Sequence, residues 1–340
     1  MQDPFFTRTI LRWYAEEGRD LPWRRTRDPY AVWLSEIILQ QTRIAQGTAY
    51  WERFMQRFPD VFSLAAADED AVLRLWEGLG YYSRARNLLA AARQIAALGS
   101  FPDTLEGIRA LKGVGDYTAA AIGSISFGID AAVVDGNVYR VLSRYFGIET
   151  PVGSAAAKKE FMQLAQSLLP KGQAADFNQG MMDFGAVQCT PAAPSCSDCP
   201  LSSSCQAFRL GQVDRFPLKK SAPAVRTRYF SYIYVRCQGM TAFRRRPSGD
   251  IWEGLWEPLF FELGSEQDRG QFPDWVDAGA LTVLKKEVRH VLTHQVIWAD
   301  FYVWTVSGRV DLPADYQWVR ESERDQYGKP KLVMKLLSAL

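Results

Sequence analysis

The sequence has almost no histidine, with two in 340 residues, and very little net charge, with 40 basic against 38 acidic residues for a formal +2. So small a charge surplus is no field for a polyanionic partner, although a basic stripe on one face can sit inside a near-neutral total. Long apolar runs are missing too. No stretch approaches the roughly 18 apolar residues of a membrane-crossing helix, and no membrane partner is expected. The start, MQDPFFTRTILRWYAEEG, lacks a basic leader, apolar core and cleavage site, and its apolar residues recur at helical spacing. There is no fixed-period repeat. What is present is ordinary for a globular chain, 47% hydrophobic and 23% charged, which excludes extensive disorder. The length predicts two domains.

Residues 4–210 read as successive helices. Apolar positions recur at three and four over 29–41, 47–57, 68–76, 84–98, 116–127, 137–146, 156–169 and 174–187. Asp68, Asp103–Thr104 and Asp135 are helix-start signals, and glycines and prolines punctuate the rest. Residues 209–228 carry Arg209, Arg215, Lys219, Lys220, Arg226 and Arg228 against Asp214, broken by Pro217 and Pro223, and read as an exposed basic linker. Beyond it the pattern becomes strand-like: YFSYIYVRC (229–237), MTAFRRR (240–246), 281–291 and 295–306. Pro330 then opens an amphipathic helix. The expected architecture is an all-α domain over 1–208, the linker, and an α+β domain over 229–340.

Four of the five cysteines, Cys189, Cys196, Cys199 and Cys205, fall in the pattern C-x6-C-x2-C-x5-C. An untargeted chain with clustered thiols is expected to be cytosolic, with the thiols reduced and holding metal rather than paired as disulfides. Spacing alone allows zinc or iron–sulfur. Structural zinc sites usually pair two C-x2-C knuckles, and the single one here leans toward iron–sulfur. Cys237 stands apart, in a predicted strand.

LKGVGDYTAAAI (111–122) sets Gly113 and Gly115 directly before an Ala-rich helix, a turn that exposes backbone N–H groups to a phosphate oxygen. Taken alone it is also an ordinary tight turn. In VVDGNVYRVLSR, Asp135 precedes an amphipathic helix, as an N-cap or as a carboxylate facing a pocket; one residue can be both. Glu36, in WLSEIILQQ, has apolar neighbours on both sides, and burial there raises a carboxyl pKa toward that of a neutral-pH proton donor.

Together, the Gly-x-Gly hairpin, the aspartate some twenty residues later and the cysteine loop resemble the iron–sulfur branch of the helix-hairpin-helix DNA glycosylases. Endonuclease III-like members carry a Schiff-base lysine just before the hairpin's threonine. Here that position is Tyr117, so lyase chemistry is not expected. LPWRRTRDPYAVWLSEIILQQTR (21–43), EGLGYYSRARNL (77–88) and FNQGMMDFGAVQC (177–189) resemble the MutY-type adenine glycosylases.

That resemblance implies a six-helix barrel with an iron–sulfur subdomain, one structural 4Fe-4S cluster on the four cysteines, and a Nudix-like second domain. It implies base excision from duplex DNA at A:8-oxoguanine or A:G mispairs by a cytoplasmic, nucleoid-associated bacterial monomer. Glu36 would be the acid, Asp135 the carboxylate beside the sugar, and Tyr117 and Asn137 their supports. Gln41 and Tyr81 match the intercalating positions, and Arg24 and Gln40 pocket positions around the flipped base. After WEGLWEPLFFELGSEQ no R-E-x-x-E-E follows, so pyrophosphate hydrolysis is not expected. Leu292, Thr293 and His294 stand where the family has a Phe-Ser-His lesion-reading motif; threonine keeps the hydroxyl, leucine loses the ring. The alternatives are an endonuclease III-like glycosylase/lyase and a non-catalytic lesion-binding protein.

Overall fold

Short polar side chains set where many of the helices begin. In the computed structural model, which describes residues 3–220 and 225–340, the helices are α1 (Pro4–Glu17), α2 (Pro29–Leu39), α3 (Ile44–Arg57), α4 (Val61–Ala65), α5 (Glu69–Leu75), α6 (Ser83–Leu98), α7 (Leu105–Arg109), α8 (Asp116–Phe127), α9 (Gly136–Phe146), α10 (Ala155–Leu168), α11 (Ala174–Asp183), α12 (Gln206–Arg209) and α13 (Lys331–Leu337). Asp3, Asp60, Thr104, Asp135 and Ser154 each accept a first-turn backbone N–H, of α1, α4, α7, α9 and α10 respectively. Those donors have no partner within the helix itself. Gly128 and Gly147, both at φ +68, end α8 and α9.

The chain divides into two compact units, Met1–Ala66 with Ala90–Ser221 and Ala67–Leu89 with Ala222–Leu340. This differs from the contiguous division expected at 208 and 229. Segment 67–89 has the same helical periodicity as its neighbours, and only long-range packing groups it with the sheet.

In the first unit, Phe6, Ile10 and Trp13 of α1 pack against Val138, Val141, Leu142 and Tyr145 of α9, Phe161 of α10, and Phe177 and Met181 of α11. The 3–4 spacing on each helix makes one apolar stripe that must be covered. Helix α2 is different: it is buried almost all round, from Tyr30 through Ser35 and again at Ile37 and Ile38. Glu36 is its one charged residue.

The second unit holds strands β1 (Arg226–Cys237), β2 (Met240–Arg245), β3 (Trp256–Glu257), β4 (Leu259–Leu263), β5 (Leu281–Val291), β6 (Gln295–Thr305) and β7 (Tyr316–Arg320) in a mixed sheet. The order is β3-β2-β1-β6-β5, with β4 also paired to β1 and β7 to β2. Strand β1 lies parallel to β6, Tyr232 opposite Phe301, and β6 pairs antiparallel with β5. Phe230, Tyr232 and Tyr234 face Leu332, Val333, Leu336 and Leu337 of α13, whereas Ile233 and Val235 pack on the other face with Leu259, Tyr302 and Trp304. A strand covered on both faces reads as a nearly continuous apolar run. Cys237 is buried at its end.

Three local expectations are corrected. The helix expected over 29–41 ends at Leu39, because Gln41 takes a left-handed φ of 58°. The helix expected over 174–187 becomes a π-turn at Phe184–Gln188, with Cys189 N donating to the Phe184 carbonyl at 2.7 Å. The 209–228 stretch is not a uniformly exposed tether. Arg228 is buried and paired with Asp250 and Glu262, and Arg226 already belongs to β1. Residues 221–224, with Pro223 of the expected linker, lie outside the described residues. No helix among the described residues is long and apolar enough to cross a membrane.

Candidate active site

A cavity of about 380 Å³ opens in the first unit, with Glu36, Tyr117, Asp135 and Asn137 in its wall. Glu36 reaches it from the middle of the buried helix α2. Removal from water pushes its carboxyl up to about 7, and the Asp135 carboxylate pushes the same way, while a hydrogen bond with the Tyr117 hydroxyl and the positive charge of Arg24 act in opposition. A carboxyl in this state exchanges a proton near neutral pH.

Asp135 is held more firmly. As N-cap of α9 its Oδ1 accepts from Val138 N at 2.8 Å, and its Oδ2 accepts from Asn137 Nδ2 at 2.8 Å. Burial still raises its pKa, with these donors working against the shift. Asn137 Oδ1 in turn accepts from Arg140 Nη2 at 2.8 Å. Arg140 also donates to the carbonyls of Gly185 at 2.6 Å and Cys189 at 2.7 Å. The π-turn makes this possible by bringing Gly185 against Asn137: a Cβ on Gly185 would stand 2.5 Å from that of Asn137.

Burial, first of all, and the neighbouring carboxylates push the Tyr117 phenol well up, so it remains a donor. Its hydroxyl lies 3.4 Å from the Met182 sulfur. Arg24 donates to the fully buried Asp183 at 2.5 and 2.7 Å, and Arg19 binds the same carboxylate. Gln40 lines the cavity and donates to Thr118 Oγ1 at 3.3 Å, and the exposed Gln41 lines it as well. Gln179, which also lines the cavity, was missed by sequence reasoning, since FNQGMMD carries nothing to mark one polar residue of a helix as pocket-facing. Asp183, which does not line the cavity but holds Arg24 and Arg19, was missed as well.

The glycine hairpin is formed between α7 and α8, with Gly113 at φ +77 and Gly115 as N-cap of α8. Outside the hairpin, Lys158 and Arg109 pair with Asp116.

The four cysteines line one cavity whose other walls include Val141, Tyr145, Phe184, Leu201, Phe208 and Val213. None is in a disulfide. Arg144 clamps their loop, with Nη1 3.4 Å from Cys189 Sγ and donating to the Thr190 carbonyl at 2.7 Å. Burial raises the Cys196 and Cys205 thiols, and the Cys199 thiol to about 11. Four sulfurs around one largely apolar chamber are the donor chemistry of an iron–sulfur cluster. Among the described residues, no three His, Cys, Asp or Glu side chains are placed to hold a single metal ion.

In the second unit Tyr81, at a left-handed φ of 47°, hydrogen-bonds through its hydroxyl to that of Thr293. Arg84 lies over both the Trp76 ring and the Tyr81 ring, and the Gly80 carbonyl accepts from Trp76 Nε1 at 3.0 Å. Leu292–His294 form the tight β5–β6 connection, closed by Leu292 N donating to the Gln295 carbonyl at 2.8 Å. Left-handed non-glycine residues cost of order 1–3 kcal/mol and concentrate at functional sites. Gln41 and Tyr81 are two of the six in the described chain.

Residues 34–171 match the family model of the HhH-GPD superfamily base excision DNA repair proteins, and residues 231–339 match that of the NUDIX domain. The chain is 36% identical over 253 residues to an adenine DNA glycosylase of Buchnera aphidicola, covering 74% of this chain and 72% of that one. It is 35% identical to the adenine DNA glycosylase of Rattus norvegicus, covering 89% and 71%. Among solved structures, a thermostable thymine-DNA glycosylase superposes with a TM-score of 0.55 at 33% identity, over 60% of this chain and 95% of that one. With a helical unit and a mixed-sheet unit each matched to its own family model, and relatives above 30% identity matched over more than two thirds of both chains, the chain belongs to the adenine DNA glycosylase family.

Proposed function

We propose that this protein is a monofunctional adenine glycosylase of base excision repair, hydrolysing the N-glycosidic bond of adenine opposite 8-oxoguanine or guanine in duplex DNA. The observation that carries the reading is the pairing of two carboxyls in one cavity with different environments. Glu36 is pushed up to about 7, whereas Asp135 is bound by a backbone N–H and by Asn137. Paired carboxyl groups in unlike environments divide into acid and charge stabiliser.

In this reading the target adenine is flipped out of the stack into the cavity. Glu36 protonates a ring nitrogen, and the electron pair of the C1′–N9 bond passes to the departing base. The Asp135 carboxylate offsets the positive charge on the sugar. Water then adds to C1′, and its proton returns to a carboxylate. Tyr117 and Asn137 hold the carboxylates in place, and Arg24, Gln40 and Gln179 bound the base. Among the described residues no lysine lines the cavity, which favours simple hydrolysis over a Schiff-base lyase route. Gln41 and Tyr81 fill the gap in the duplex, and Thr293, with Leu292 and His294, reads the opposite base. Gly113 and Gly115 present the hairpin backbone to a phosphate.

Cys189, Cys196, Cys199 and Cys205 would hold one 4Fe-4S cluster. When bound, the cluster would supply a cross-link that closes the 189–205 loop on itself, with all four thiolates engaged. Iron-loaded protein should be brown, with Cys199→Ser bleaching it and lowering Tm.

The test is single-turnover cleavage of a duplex carrying adenine opposite 8-oxoguanine. Wild type should release adenine and leave an abasic site, with no borohydride-trapped adduct, and Glu36→Gln should be slower by about 10²–10⁴. No cleavage by the wild type, or an undiminished rate in the variant, refutes the mechanism.

A further inference from the structure

A cavity of about 660 Å³ lies in the second unit. Its walls include the Gly78–Ser83 loop, Trp252, the 290–295 hairpin, and Lys331 and Lys335 of α13. Helix α13 turns Leu332, Val333, Leu336 and Leu337 into the core. Lys331 and Lys335, one turn apart, are left exposed at the cavity edge.

The charges around this cavity do not cancel. Asp250 is bound by Arg228 and Arg246, each at 2.7 Å. Glu253 is paired with Arg86, the other cation of the wall, at 3.5 Å. His290, edge-on to Trp252 at 5.7 Å, is held down to about 4 by burial and by the two lysines, and is neutral at working pH. Lys331 and Lys335 form no salt bridge among the described residues, and they leave the rim positive. The same cavity is edged by Tyr81, which the proposed function places in the duplex gap, and by Thr293, which it sets against the inspected base.

We propose that Lys331 and Lys335 are a phosphate clamp that binds the DNA backbone beside the base inspected by Thr293. The clamp rests on the reading of Thr293 as lesion-facing and adds residues that its motif does not contain. Lysine ammonium groups act on phosphate as point charges, without reading sequence. Their contribution is therefore equal for damaged and intact duplexes and falls with salt.

Binding of the full chain to a duplex with an abasic-site analogue opposite 8-oxoguanine, and to an undamaged duplex, is measured over a range of salt. In Lys331→Gln/Lys335→Gln the slope of log K against log salt should shrink by about 2 on both duplexes, since each released phosphate contributes about 0.9. Lys331→Arg/Lys335→Arg should restore it, and Tm should not move. An unchanged slope in the Gln pair overturns the clamp. Failure of the wild type to prefer the lesion duplex would instead refute the Thr293 reading, while the slope still reports on the lysines.

Discussion

Asn137 gives Asp135 a hydrogen bond of 2.8 Å and receives one of 2.8 Å from Arg140. The carboxylate at the start of α9 is thereby tied to an arginine that also holds the Gly185 and Cys189 carbonyls. One face of a single helix joins the cavity wall to the cysteine loop, and several expectations can be drawn from that arrangement.

Asn137→Ala removes a neutral donor from an ionised carboxylate, an interaction of about 1.5–3 kcal/mol. Single-turnover excision should slow by roughly 10–100-fold. Because that donor holds the Asp135 pKa down, the acid limb of the pH–rate profile should also move to higher pH. A slower rate with an unmoved acid limb would separate Asn137 from Asp135.

The rate should fall as pH rises through about 7, where Glu36 gives up its proton. A general acid works only while protonated. The alkaline limb should be missing in Glu36→Gln, as read from single-turnover rates between pH 5 and 9.

Glu36 should also cost stability. Its folded pKa is raised above the ordinary 4.5, so between about 4.5 and 7 the unfolded chain ionises first and stability declines as pH rises. Glutamine escapes this, and Glu36→Gln should be more stable than wild type by roughly 3 kcal/mol at pH 8 and by little at pH 4. Denaturant unfolding at the two pH values reads the difference directly.

Gly185→Ala should damage both fold and activity. The new methyl would meet Asn137 Cβ at 2.5 Å and its backbone at 3.0 Å, contacts that neither rigid element can relieve by a rotamer change. Destabilisation of about 1–3 kcal/mol is expected from such overpacking, with excision reduced because Asn137 is displaced. Chemical denaturation and single-turnover rates on the same preparation check both.

Much of this was legible along the chain. The 3–4 periodicity of α1, α8, α9 and α10, the N-cap at Asp135, the glycine hairpin at 113–115, and the cysteine spacing are local signals, set by residues within a turn or two of one another. So is the absence of an amine at Tyr117. Local patterning reports which face of an element is apolar and where it starts, because helix and strand periods impose that on any sequence.

Tertiary structure decided the rest. It enclosed Glu36 in a helix buried almost all round, turned Phe184–Gln188 into a π-turn so that Gly185 could touch Asn137, and sank Arg228 of an apparently basic linker into a carboxylate pair. It grouped 67–89 with the sheet and joined Tyr81 to Thr293, 212 positions away. Burial and pairing depend on which distant surfaces meet, and a carboxyl's pKa or an arginine's exposure follows from that meeting, which no window of neighbouring residues contains.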